Sequence, residues 1–250
     1  MNNPPSFLYP EWPAPSNIRA LTTLRVGGVS ESPFNTLNLA THVGDNLDSV
    51  MQNRAIISSE LELPTEPVWL EQIHSDRAIE AIHRPMPEQA DASYTSKIGV
   101  VCAVLTADCL PLLICSNDGS QVAAVHAGWK GLLAGVVTNT IKALEKVSSH
   151  NQGYMVWLGP AIGPNCFEVG AEVRDDFVRK HLGNESAFVQ LSSDKWLADI
   201  YHLARIELTK IGVNDVYSSA ACTFTENESY YSYRRDGQTG RMASLIWRES

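Results

Sequence analysis

The chain has 250 residues, 44% of them hydrophobic and 19% charged, which supplies a sizeable buried core and excludes wholesale disorder. Nineteen Lys and Arg against 28 Asp and Glu leave a net charge of −9. That balance argues against a generic nucleic-acid binder, because phosphate contacts need a basic face.

No run of 18 apolar residues occurs, so no membrane span is expected. The opening stretch, MNNPPSFLYPEWPAP, has neither the basic nor the apolar region of a secretory signal. Five cysteines (Cys102, Cys109, Cys115, Cys166 and Cys222) are odd in number and few for the length, unlike a disulfide framework. The expected compartment is therefore a reducing cytoplasm, where a cysteine is buried, catalytic or metal-bound more often than bridged.

Residues 1–16 carry five prolines and predict an extended surface arm. A strand is expected over 18–26, followed by a long polar loop over 30–48 that holds Asn35, Asn38 and His42. A helix is expected over 50–61, stopped by Pro64. The segment 67–73 (PVWLEQI) reads as a strand running into His74. Apolar runs at 99–106 and 110–115 read as buried strands. Asp118-Gly119 supplies a hairpin-type turn, and 121–126 (QVAAVH) returns as a strand. Apolar spacing over 129–147 predicts a helix, and 155–158 a strand. Two more helices are expected at 169–182 and 196–211, and two strands at 216–224 and 241–247. With no repeat and no flexible linker, this reads as one α/β (α+β) domain over 1–250, with mixed sheets flanked by helices.

Three chemically interesting residues stand where buried strands end: His74, Cys109 and His126. No CxxC pair exists, so a zinc-ribbon site is excluded. Two imidazoles and a thiolate match the three protein ligands of a catalytic zinc centre, provided the strand ends converge. Spacing alone is a weak signal and favours one buried free cysteine and two hydrogen-bonded histidines. Asp91 and Asp108 are candidates to orient an imidazole or relay protons, or are simply turn caps. The Ala127-Gly128 step lets the backbone pass close to a ligand or merely turns from strand to helix. The rigid segment LGPAIGPNCFEVG lacks the Gly-x-Gly-x-x-Gly spacing of a dinucleotide site, and it brings Cys166 and Glu168 near a site or buries the cysteine. Arg234 and Arg235, if on a strand, point to opposite faces, so one of them at most enters a given pocket.

The motifs TTLRVGGVS, NLATHVGD, QIHSD, QADASYT, LTADCLPLLI, AAVHAGWKGLLAGV, LGPAIGPNCFEVG and FTENESYYSYRRDGQTGRMASLIW occur in this order over nearly the whole chain. In this the chain resembles the YfiH family, also described as laccase-domain or polyphenol oxidase-like proteins and as purine nucleoside phosphorylases. Ser75 and Ile73 are small departures from the family pattern. The resemblance implies a layered fold similar to the catalytic domain of cytotoxic necrotizing factor, and metal ligands at His74, Cys109 and His126, with zinc as the metal and copper as the alternative. It implies phosphorolysis of adenosine, inosine, guanosine and methylthioadenosine, and deamination of adenosine. The partners expected are then a small-molecule nucleoside and phosphate, with no nucleic acid and no membrane, and with oligomeric state left open. Substrate-binding candidates are Arg25, Asn38, His42, Cys166, Arg234 and Arg235, and proton-shuttle candidates are Asp91 and Glu168. Two alternatives are a metal-free Cys109–His126 amidase acting on cell-wall peptide precursors and a copper-dependent polyphenol oxidase. The latter must gather a multicopper cluster from seven scattered histidines.

Overall fold

The computed structural model describes residues 4–147 and 153–250. In chain order its elements are β1 (Phe7–Leu8), β2 (Ile18–Thr23), α1 (Leu47–Glu60), β3 (Leu70–Glu71), β4 (Ala78–Glu80), β5 (Glu88–Gln89), β6 (Ala92–Thr95), β7 (Cys102–Thr106), β8 (Leu110–Ser116), β9 (Val122–Ala127), α2 (Trp129–Ala134), α3 (Val136–Val147), β10 (Tyr154–Leu158), β11 (Glu168–Gly170), α4 (Ala171–Lys180), β12 (Phe188–Gln190), β13 (Lys195–Ala198), α5 (Ile200–Lys210), β14 (Asp215–Ser218), α6 (Tyr233–Asp236) and β15 (Met242–Arg248). This is a mixed α/β fold. No helix among the described residues is long and apolar enough to cross a membrane.

A six-stranded mixed sheet (β14-β10-β8-β9-β6-β4) lies against a four-stranded antiparallel sheet (β1-β2-β15-β7). The side chains of β8 show why. Strand residues alternate between faces, and β8 is buried along its whole length. Leu110, Leu112 and Ile114 pack with Val137, Ile141 and Leu208 of α3 and α5. Leu113 and Cys115 pack with Cys102, Val104 and Ile246 of the smaller sheet. The far face of that sheet, with Ala103, Leu105, Leu245 and Trp247, is covered by Ile57 of α1 and by Leu37 and Leu39. The layers are therefore helix, sheet, sheet and helix. The continuous apolar strands of the sequence are those buried on both faces.

Several elements differ from expectation for local reasons. The 129–147 helix is divided at Gly135, whose φ of +104° ends α2. The 196–211 helix begins only at Ile200, because the Asp199 carboxylate accepts from His202 N and caps α5; Trp196 belongs to β13 instead. Within 169–182 the helix starts at Ala171, after β11. The 67–73 and 216–224 strands shorten to Leu70–Glu71 and Asp215–Ser218. Arg234 and Arg235 lie in the helical turn α6, not on a strand. In the proline-rich arm, β1 pairs antiparallel with β2, and residues 1–3 lie outside the described residues.

Leu112 and Leu113 test the two cores separately. Each is fully buried, and truncation to Ala is expected to cost about 3 kcal/mol on either face. Urea unfolding should show both midpoints lowered. A wild-type midpoint for Leu113→Ala would contradict the sheet-on-sheet packing.

Candidate metal centre and active-site cleft

The connection between β7 and β8 carries Cys109, the end of β9 carries His126, and the segment leaving β3 carries His74. Strand pairing brings two of these together, because β8 runs beside β9 with Pro111 opposite His126. The third arrives through a side chain acting as a strand partner. Gln72 donates from Nε2 to Leu105 O at 2.8 Å and accepts from Leu105 N at 2.7 Å, which ties the β3–His74 segment to the end of β7.

Donor atoms of His74, Cys109 and His126 all lie within 4.8 Å of one another. Ligand atoms of a tetrahedral zinc site stand roughly 3.3–3.8 Å apart, so small side-chain movements would close the set. The two imidazoles meet edge to face, with ring centroids 4.8 Å apart. Gly128 makes this approach possible: a Cβ there would stand 2.7 Å from His74 Nδ1 and 3.0 Å from Cys109 Sγ. The glycine thus leaves room for two donors. The helix that follows it, α2, has only six residues.

Asp91 organises the set from behind. It is fully buried and its carboxylate accepts hydrogen bonds from His74 N at 3.0 Å, Ser75 N at 2.6 Å, Ser75 Oγ at 2.7 Å and Ile73 N at 3.3 Å. These bonds hold His74 at φ +59°, a left-handed conformation that costs a non-glycine residue energy. The other partner of Asp91 is His126 Nδ1 at 2.8 Å. With Nδ1 so engaged, Nε2 is the nitrogen left for a ligand, the usual arrangement behind a metal-binding imidazole.

The electrostatics follow from this packing. Burial opposes ionisation of Asp91, but the bonds from His126 and Ser75 outweigh it and hold the carboxyl at about 2. Burial likewise opposes a charged His126. The negative charge available at Cys109 and the Asp91 bond overcome it and raise the imidazole to about 9. His74 is lowered, by burial and then by its neighbour His126.

A cleft of about 360 Å³ opens over the three donors, lined also by His42, Gln72, Thr106, Tyr233 and Arg241. That is the size range of small-ligand sites. Arg241 is half-buried and makes no ion pair with a carboxylate among the described residues. Its NH1 donates to Thr239 O and Gly240 O at 2.8 and 2.9 Å, leaving its other nitrogens to the cleft. His42 is lowered by desolvation and by the charges of Arg241 and Arg54.

The remaining expected site residues lie elsewhere. Arg25 donates to Asn35 O and Asn227 O and stacks over Tyr231. Asn38 is buried, and its Oδ1 accepts from Arg241 N at 3.0 Å, so it positions the arginine backbone. Arg234 donates to Glu168 O, and Arg235 to Thr223 O, Phe224 O and Tyr230 O. Glu168 pairs with Lys195. Cys166 lines a different cleft. Asp108 anchors the C-terminal segment to the Cys109 turn, accepting from Thr223 Oγ1 at 2.6 Å and Arg234 N at 2.7 Å. Sequence reasoning missed Gln72 and Arg241, whereas Tyr233, which lines the cleft, is readable in the sequence as a residue that stacks on a planar ligand or packs in the core or at an edge. Arg241 could have been found by the rule that picked the three donors, since it directly adjoins a buried strand.

The family model described as multi-copper polyphenol oxidoreductase laccase matches residues 19–249. A protein of Escherichia coli (strain K12) named purine nucleoside phosphorylase YfiH is 48% identical over 96% of this chain and 98% of its own length. The purine nucleoside phosphorylase PA4543 of Pseudomonas aeruginosa is 47% identical over 97% and 98%. Among solved structures, Neisseria meningitidis protein NMB0706 superposes with a TM-score of 0.92 at 46% identity, covering 98% of this chain and 99% of that one. YlmD from Geobacillus stearothermophilus superposes with a TM-score of 0.87 at 31% identity, covering 94% and 93%. The three-donor cleft thus sits on the fold of proteins matched along almost their entire length, and the chain belongs to the YfiH family of laccase-domain proteins.

Proposed function

We propose that this protein is a purine nucleoside phosphorylase that also deaminates adenosine, working in the cleft formed by His74, Cys109 and His126 with zinc as the metal. The observation that carries the reading is the convergence of these three donors beneath a cleft that also presents an arginine without a carboxylate partner. Near-full-length identity to proteins named purine nucleoside phosphorylase supports it. Adenosine, inosine, guanosine and methylthioadenosine are the proposed substrates.

In phosphorolysis a phosphate oxygen bonds to C1′ of the ribose as the bond from C1′ to the purine nitrogen breaks. Arg241 is placed to seat the phosphate, since a guanidinium fork matches that anion. His42, kept neutral, is suited to hydrogen-bond the ribose as donor and acceptor. Tyr233, exposed at the cleft with Arg241 5.8 Å from its ring centroid, offers a stacking face for a planar base. Asp91 keeps the His126 ring oriented and is itself too acidic to shuttle protons near neutral pH. When bound, zinc supplies Lewis acidity and activates water, the chemistry that deamination needs.

A second reading has one observation in its favour: His126 is the charge partner of Cys109, as in a metal-free thiol hydrolase. The two separate by metal content, and by alkylation of Cys109 with and without chelator. Copper-dependent phenol oxidation is less well supported, because among the described residues this is the one cluster of three His, Cys or acidic side chains suited to a metal.

Chromatography of adenosine or inosine incubated with phosphate provides the test. Wild type should release free base, and Cys109→Ala should reduce release about 100-fold or more. Undiminished release would remove the metal centre from the reaction. Arg241→Ala should raise KM for phosphate about tenfold and leave KM for nucleoside nearly unchanged, equivalent to about 1.4 kcal/mol. An unchanged phosphate KM would exclude Arg241 as the anion seat.

A further inference from the structure

A second cleft, of about 460 Å³, opens beside the 163–166 turn, and both Cys166 and Cys222 line it. Neither lines the metal cleft. Both are free and half-buried, whereas Cys102 and Cys115 are sealed in the core. Cys166 N donates to Gly163 O at 3.0 Å, closing the turn. Gly163 N donates to Cys222 Sγ at 3.2 Å. A Cβ at Gly163 would stand 3.0 Å from that sulfur, so a glycine is what lets the amide come so close.

The surroundings divide the labour between the two thiols. Burial raises the Cys222 thiol, but hydrogen bonds from the Thr225 side chain and from the amides of Thr225, Gly163 and Phe224 outweigh it and bring the thiol below its ordinary value. Cys166 moves the other way, raised by burial and then by the charge of Cys222. The surroundings thus favour the thiolate at Cys222 and the protonated thiol at Cys166.

We propose that Cys222 is a modification site for small hydroperoxides, with Cys166 as the thiol that resolves the oxidised product. The Cys222 sulfur attacks one peroxide oxygen and the O–O bond breaks. The departing oxygen takes the Cys222 proton and leaves as an alcohol or, from hydrogen peroxide, as water. The sulfur of Cys166 then attacks the sulfenic acid. An S–S bond forms, the S–O bond breaks, and the hydroxyl leaves as water with the Cys166 proton. The two thiols lose two electrons and the peroxide gains them.

The test is treatment of the full chain with hydrogen peroxide, followed by alkylation and non-reducing peptide mapping. Cys222 should lose its free thiol at least about tenfold faster than Cys102 and Cys115, with a Cys166–Cys222 disulfide accumulating. In Cys166→Ser the product should stop at a sulfenic acid on Cys222 that dimedone traps. Equal rates at the three cysteines, or no trapped sulfenic acid in the variant, would overturn the assignment of Cys222. Oxidised wild type in which Cys222 is linked elsewhere or to nothing would overturn the role of Cys166.

Discussion

One buried carboxylate joins the stability of this fold to its chemistry. An ionised Asp has a large desolvation cost and is tolerated in a core only when its oxygens are fully engaged. Asp91 meets that condition with donors from two remote parts of the chain, the 73–75 turn and His126. The same bonds fix His74 in a left-handed conformation and aim the free nitrogen of His126 into the cleft. Folding therefore cannot satisfy Asp91 without also bringing two of the three donors together.

The third donor is placed by the sheets. Because β8 is buried on both faces, its start cannot shift without disturbing the helical layer and the smaller sheet at once. Cys109 stands at that start, and Asp108 before it, at φ +89°, is held by Thr223 and by the first turn of α6. Arg241, directly ahead of β15, is positioned in turn by Asn38. The cleft is thus a meeting of strand ends on a rigid double sheet, which suits a site whose donors must keep their distances.

Much of this was legible in the amino-acid sequence. The runs around 99–106, 110–115 and 121–126 announced buried strands, and His74, Cys109 and His126 stood out at their ends. The short strands β4, β6 and β12 escaped notice, since a strand of three or four mixed residues carries too little periodicity to be seen. Arg25, Arg234 and Arg235, the arginines the sequence offers for an anion seat, do not line this cleft and donate to backbone carbonyls elsewhere, whereas Arg241 lines it. Choosing among arginines needs tertiary contacts, which local pattern does not contain. Asp91 is readable in the sequence as a carboxylate that could orient an imidazole, while its engagement with both histidine segments depends on a packing that only the fold supplies.

Unfolding of wild type and Asp91→Asn by denaturant from pH 7 down to pH 2, with chelator present, tests the role of Asp91 most directly. The carboxyl is at about 2 in the folded chain against 3.8 ordinarily, so its stabilisation is complete above the unfolded value and is lost as pH falls through the folded one. The account predicts a variant less stable by about 3 kcal/mol at pH 7, with the gap narrowing as acid protonates the wild-type carboxylate. A variant as stable as wild type at pH 7, or a gap that does not change with pH, would contradict it.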